Sequence, residues 1–486
     1  MLTIHLRITD ATTKRPTPVR LRIADAAGNH YMPFGRLAAF PTGVGEQVGG
    51  HLQLGKELFT IINGSCEIAL PAGVPLRIQA LKGPEYEILD RTVTLGAGQM
   101  ALRFEMTRWI DTVKDGWISG DSRTHFLSPH DALLEASAED ISVVNLLARW
   151  HTMLARDGNT YATLTNLAAF SGQNAAIVAD GRQVVVNTLN SHRALGRVAL
   201  LHAHRAIYPI AYGDPESTDD WSLCDWCDQC HRKKGLTVWV DAFRADAGLL
   251  GGEALVALIL GKIDAIEVDA QPRLQPLVPW LYHLWNAGFA VPLIGGSGKD
   301  NNRVPLGAMR TYAKVDGEST YATWIDAVRA GRTYVTTGPI VEFTISHEAS
   351  SKMVGIHADV QSMALFDKLE ILLDGEVIST VPATHDRLFT ANAELQHPFA
   401  KSGWLAARCI GTNGAFAHTS PVVVNIEGQP LTRRASSLAA LRRCVEQTRE
   451  WAVERGTYID ERWRQKLLEN CDAALTRIVM PESRPV

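Results

Sequence analysis

The segment Gly120-Asp121-Ser122-Arg123-Thr124-His125 places two side chains with strong chemistry two residues apart. Ile118, Gly120 and Asp121 read as the end of a buried strand entering a tight turn. In the extended chain beyond, Arg123 and His125 point to one side, because successive side chains alternate. Two histidines at that spacing would grip a metal through neutral imidazole nitrogens. Arg123 carries instead a guanidinium, which is always protonated and has no lone pair to donate. The spacing of a metal site is present with one donor, His125.

Other chemistry-bearing residues stand beside short apolar runs. Asp241 follows Leu236 to Val240, Asp269 follows Ala265 to Val268, and Asp300 comes after Ala290 to Ile294. Arg197 opens the run that ends at Leu201, and His202 and His204 come just after it. On a strand, His202 and His204 would face one side. With Asp241 they would make a two-histidine, one-carboxylate set suited to zinc, manganese or iron.

The blocks around these residues resemble the CehA/McbA-type metallohydrolases, a branch of the PHP (polymerase and histidinol phosphatase) superfamily. Trp117-Ile118-Ser119-Gly120-Asp121 followed by His125 is similar to that family's opening motif, Gly-Asp-x-His-x-His. Gly296-Ser297-Gly298-Lys299-Asp300 with Arg310-Thr311-Tyr312 resembles its Gly-Ser-Asp-x-His loop and Arg-Thr-Tyr strand. Ala330-Gly331-Arg332-Thr333-Tyr334 with Thr337-Gly338-Pro339 resembles its exit segment, and Gly196 to Leu201 its Gly-His-x-x-Leu-Leu strand. The likeness covers Trp109 to Phe343 and implies a distorted seven-stranded PHP-type barrel.

Against that pattern the departures are systematic. Arg123 and Arg197 stand at histidine positions, and Asn145-Leu146-Leu147 replaces Asp-His-Asn. Gln173 takes the place of a bridging glutamate, Asp241 that of a His-Pro pair, and Gly298 and Asp300 those of aspartate and histidine. Of the ligand set only His125 is unchanged. The resemblance therefore implies the frame of a metallohydrolase without its metal cluster, and no cofactor is expected.

Composition bounds the remaining possibilities. The 486 residues carry a net charge of −4 from 48 basic and 52 acidic side chains, with no long basic run, which argues against nucleic acid as a partner. No apolar run approaches the 18 or so residues needed to span a membrane, and the first residues alternate like a strand, so a cytoplasmic location is expected. Seven cysteines follow no disulfide pattern. Cys224, Cys227 and Cys230 fall on an amphipathic helix between Asp219 and Lys234, and Cys224 and Cys230 there lie about 9 Å apart along its axis, too spread for one zinc.

Four parts are expected to position these residues. Residues 1–108 alternate as strands and resemble a carboxypeptidase-regulatory-like β-sandwich. Residues 109–345 alternate strands with helices such as Ser128 to Ala138 and Gly252 to Leu260, an α/β pattern. Residues 346–428 form a small β domain with a hairpin at Asp374-Gly375, and residues 429–486 two helices, the second capped by Asp460.

The leading expectation is a small anionic ligand, carboxylate or phosphate, bound at the barrel mouth by Arg123, Arg197, Lys299 and Gln173. Asp241, Asp300 and His125 would orient or exchange protons there. Guanidinium groups bind such anions bidentately. A second reading is a metal-dependent hydrolase of an ester, amide or phosphoester with relocated ligands drawn from His125, His202, His204, Asp241 and Asp300. A third is an interaction scaffold. Nothing in the sequence indicates an oligomeric state.

Overall fold

Burial along the first strand, Leu2–Asp10, alternates residue by residue, with Ile4, Leu6 and Ile8 fully covered. Such a strand must lay one face on a core. In the computed structural model, which describes residues 1–35, 51–154, 160–213, 217–244, 248–269, 274–348 and 352–478, that face joins a shared one. A three-stranded sheet (Ser65–Leu70, Leu2–Asp10, Ala101–Met106) and a five-stranded sheet containing Val19–Asp25 and Pro75–Leu81 contribute to one apolar cluster.

From Trp117 onward the chain is a mixed α/β structure with large sheets and, among the described residues, seven α-helices. Trp117–Thr124 runs parallel to Val143–Leu154, which runs parallel to Arg182–His192. Leu236–Val240, Ala265–Asp269 and Leu293–Gly296 form a second parallel series. Between the two lies Gly196–Leu201, antiparallel to both neighbours, with Arg197 opposite Val240 and Leu201 opposite Leu236. The first strand is continuous through Thr124, so no turn interrupts it after Asp121.

Local chemistry accounts for several helix starts. Ser128 caps the Pro129–Glu139 helix by accepting from the Asp131 N–H, and Pro129 suits the first turn. Asp460 caps Glu461–Arg477 in the same way. The Leu223–Arg232 helix buries Cys224, Cys227 and Cys230 as free thiols among its apolar contacts. In the C-terminal β region, Asp374 (φ 50°) and Gly375 (φ 87°) turn the hairpin of Lys368–Leu373 and Glu376–Pro382.

Backbone pairing crosses residue 345. Ile340–His347 pairs with Met353–Ser362, and Thr333–Thr336 pairs with Phe416–Thr419. The C-terminal β strands are thus bonded directly to the α/β sheets. The last two helices pack on the Gly252–Ile259 helix through a common apolar core.

Candidate functional site

Register dictates what meets at one end of the sheets. The last residues of Trp117–Thr124, Leu236–Val240, Ala265–Asp269 and Leu293–Gly296 share that end with the first residues of the antiparallel Gly196–Leu201. Arg123, Arg197, Asp241, Glu267 and Asp269 converge there.

Arg123 is the centre of the group. Its Nε donates to Glu267 Oε1 at 2.8 Å, and Nη2 lies 2.7 Å from the same oxygen. Nη2 also reaches Asp241 Oδ1 at 3.4 Å and Asp269 Oδ2 at 3.5 Å. Ser122 Oγ donates to Glu267 Oε2 at 3.2 Å. Burial pushes the Glu267 carboxyl up to about 7; the Asp269 and Asp241 charges act in the same direction and Arg123 opposes them. Burial opposes the charge on Arg123, yet its three carboxylates raise its pKa further.

Two glycines make room for this contact. A Cβ at Gly296 would stand 2.6 Å from Ser122 Oγ and 2.8 Å from Glu267 Oε2. Gly298, at φ +62°, would press a Cβ to 3.0 Å from Arg123 Nη2. Asp121 supports the loop from beneath: fully buried, it accepts from the backbone N–H groups of Arg123, Ser297 and Gly307 at 2.8 to 3.0 Å. Burial raises its pKa against those hydrogen bonds.

Asp241 carries a second arginine. Arg197 Nη1 lies 2.8 Å from Asp241 Oδ2, and Arg244 Nη1 lies 3.7 Å from that oxygen. The Arg197 side chain is 25% exposed and that of Arg244 45%. Asp241 (φ 53°) and Phe243 (φ 56°) both hold the left-handed backbone region, which non-glycine residues occupy at a cost. Phe243 is anchored by stacking on Trp280, with ring centroids 4.7 Å apart. Arg193, Arg197, Asp241, Phe243 and Arg244 line a cleft of about 20 Å³, room for one oxygen atom of a ligand.

His125 stands apart from that network. Its Nδ1 faces the Leu147 carbonyl at 3.3 Å, and its buried Nε2 has no hydrogen-bond partner among the described residues. Burial, with the charges of Arg149 and Arg123, holds its pKa well below the ordinary value, so the ring is neutral.

Five expected site residues lie elsewhere, and these are corrections. Lys299 is buried beside the Pro129–Glu139 helix, its Nζ donating to the Asn301 and Val304 carbonyls and 3.3 Å from Glu135 Oε2. It has no donor directed at the arginine cleft. His202, His204 and Gln173 gather around the Lys233 and Lys234 carbonyls, next to the start of Leu236–Val240. Asp241 follows the far end of that strand, about 15 Å away at the usual rise per residue. The cause is strand direction: Gly196–Leu201 runs antiparallel, so its first residues, not its last, reach Asp241. His202 and His204 therefore cannot join Asp241 around one ion. Asp300 is partly exposed, and its Oδ1 accepts from Asn301 Nδ2.

A metal cluster of the kind held by the family these blocks resemble does not fit these residues. A guanidinium fills the space between Glu267, Asp241 and Asp269, contacts one oxygen of each and repels a second cation. Sequence reading missed Glu267 and Arg244. Glu267 had a signal, a charge within the apolar run Ala265 to Val268 and two residues from Asp269; Arg244 had none. No protein-family model matches the chain, and no curated protein matches it significantly.

Proposed function

We propose that this chain is a PHP-like barrel protein, fronted by a β-sandwich, in which an arginine–carboxylate network replaces the metal cluster. It binds a small organic anion, carboxylate or phosphate, at the strand-end mouth, with little or no hydrolysis of the family type. The observation that carries this reading is the setting of Arg123 among three carboxylates. Their remaining order is passed to the mouth: Asp241 shares one oxygen with Arg123 and the other with Arg197.

Recognition then falls to Arg197 and Arg244, because Nε and Nη2 of Arg123 are already engaged. The cleft admits one anionic oxygen between the two guanidinium groups, where charge-assisted hydrogen bonds are strongest. Arg123 is a positioning residue in this scheme. Asp241 keeps both outer arginines aimed inward.

Calorimetry with acetate and inorganic phosphate tests the reading. Wild-type protein should bind one of them saturably, and Arg197→Ala should weaken binding by about tenfold to a hundredfold, the loss of one charged hydrogen bond. Arg197→Lys should rescue poorly, since an ammonium lacks the planar fork. Absence of binding by either anion overturns the proposal. Near-stoichiometric zinc, manganese or iron in protein purified without chelators, lost together with a hydrolytic activity in His125→Ala, would replace it with the metal-dependent reading.

A further inference from the structure

Arg310 is a second buried guanidinium, 4% exposed, and unlike Arg123 it lies in no cluster of carboxylate contacts. Nε donates to the Gly307 carbonyl and Nη1 to the Glu139 carbonyl, each at 3.1 Å. Among the described residues no carboxylate forms an ion pair with it, and no hydrogen bond uses Nη2. The nearby Glu139 carboxylate feels the charge of Arg310 but feels that of Arg20 more strongly, and a buried guanidinium with only a shared counter-ion is costly, a cost an external anion would relieve.

Space for one lies alongside. Arg310 lines a cavity of about 310 Å³ where residues 81–88, 305–310, 337–338 and 362–364 meet Arg20 and Glu139. That volume is at the lower end of small-molecule sites. Its walls are largely apolar, including Leu81, Leu306 and Met363, and Ile88 is half exposed where the cavity reaches the surface. The charged lining residues are Arg20, Arg310 and Glu139. Arg20 Nε stands 3.3 Å from Glu139 Oε1, so these two offset each other and the charge of Arg310 is left over. One unit of positive charge in an apolar chamber matches a monoanion with an apolar body.

We propose that this cavity is a second ligand site, which takes an organic monocarboxylate with its carboxylate on Arg310 and its apolar body against Leu81, Leu306 and Met363. Inorganic phosphate is a poor fit, since it brings two charges and no apolar surface. The site is independent of the mouth described above.

Gly338 offers a way to close it without disturbing Arg310. Its backbone is outside the left-handed region, and a Cβ there meets nothing within 4 Å, so Gly338→Leu fills the cavity with little strain. The test is calorimetry of the full-length protein with benzoate, against inorganic phosphate. Wild type should bind one benzoate; Gly338→Leu and Arg310→Lys should weaken it by about tenfold or more, the value of a charged hydrogen bond. Arg197→Ala should leave benzoate binding unchanged, which separates this site from the mouth. Should Arg310→Lys fail to fold, Gly338→Leu decides alone. Benzoate that does not bind, or binds equally well to Gly338→Leu, overturns the proposal; benzoate lost only in Arg197→Ala would assign it to the mouth.

Discussion

Arg123 and Arg310 are both buried guanidinium groups on adjacent, antiparallel strands, and they meet the cost of burial differently. Arg123 is enclosed by Glu267, Asp241 and Asp269 and is part of the protein's internal electrostatics. Arg310 donates its hydrogen bonds to carbonyls, shares the charge of Glu139 with Arg20, and borders an open chamber. A charge that is neutralised internally organises its neighbours; one that is not is available to a ligand. Stability should therefore depend mostly on the first, and ligand binding on the second.

The largest expected effect follows from removing the first cation. Arg123→Met leaves three carboxylates facing one another in a dry site, and should destabilise the fold by about 3 to 5 kcal/mol in urea unfolding. A loss below about 1 kcal/mol would mean that the cluster does not need its guanidinium, and the contrast with Arg310 would collapse.

Next comes the pH dependence of the same cluster. The folded-state pKa of Glu267 lies near 7, above an unfolded value of about 4.3. Between those values the folded state holds the extra proton, so this group's contribution to stability is lost as pH rises through the window. Glu267→Gln should flatten the decline in stability between about pH 4.5 and 7.5, by on the order of 1 to 3 kcal/mol. A variant with the wild-type pH profile would show that Glu267 is ionised throughout.

Arg310→Met should cost less than Arg123→Met, about 1 to 2 kcal/mol, because two hydrogen bonds to carbonyls are lost while Glu139 keeps Arg20 as its ion-pair partner. Benzoate stabilisation in a thermal-shift assay should disappear in this variant. If Arg310→Met proves as damaging as Arg123→Met, the two sites are not different in kind.

The smallest effect is expected at the rim. Arg197 is partly exposed, and Arg197→Ala should change stability by no more than about 1 kcal/mol. Its consequence should appear instead in the affinity for acetate or phosphate. A large stability loss with unaltered anion binding would make Arg197 a structural member of the Arg123 cluster.

Much of the local architecture was legible in the residues. The strand Leu236–Val240 matches its apolar run residue for residue, Asp374-Gly375 turns a hairpin, and Asp460 caps the last helix. Glu267 was within reach of the same reading, since a charge in an apolar strand demands a partner. The placement of Lys299 was less accessible. A loop lysine between Gly298 and Asp300 reads as a surface donor, and only packing brings Glu135 of a distant helix to it.

What the sequence determined by itself was chemical identity and local punctuation: a guanidinium cannot ligate a metal wherever the fold carries it, and caps, turns and apolar alternation act over a few residues. Tertiary structure decided direction and company. Alternation along Gly196–Leu201 is the same whether the strand runs up or down, so only its antiparallel pairing sends Arg197 to Asp241 and His202 and His204 to the opposite end. The difference between Arg123 and Arg310 arises likewise. Both are arginines near strand ends, and what separates them is which carboxylates the rest of the chain brings within reach.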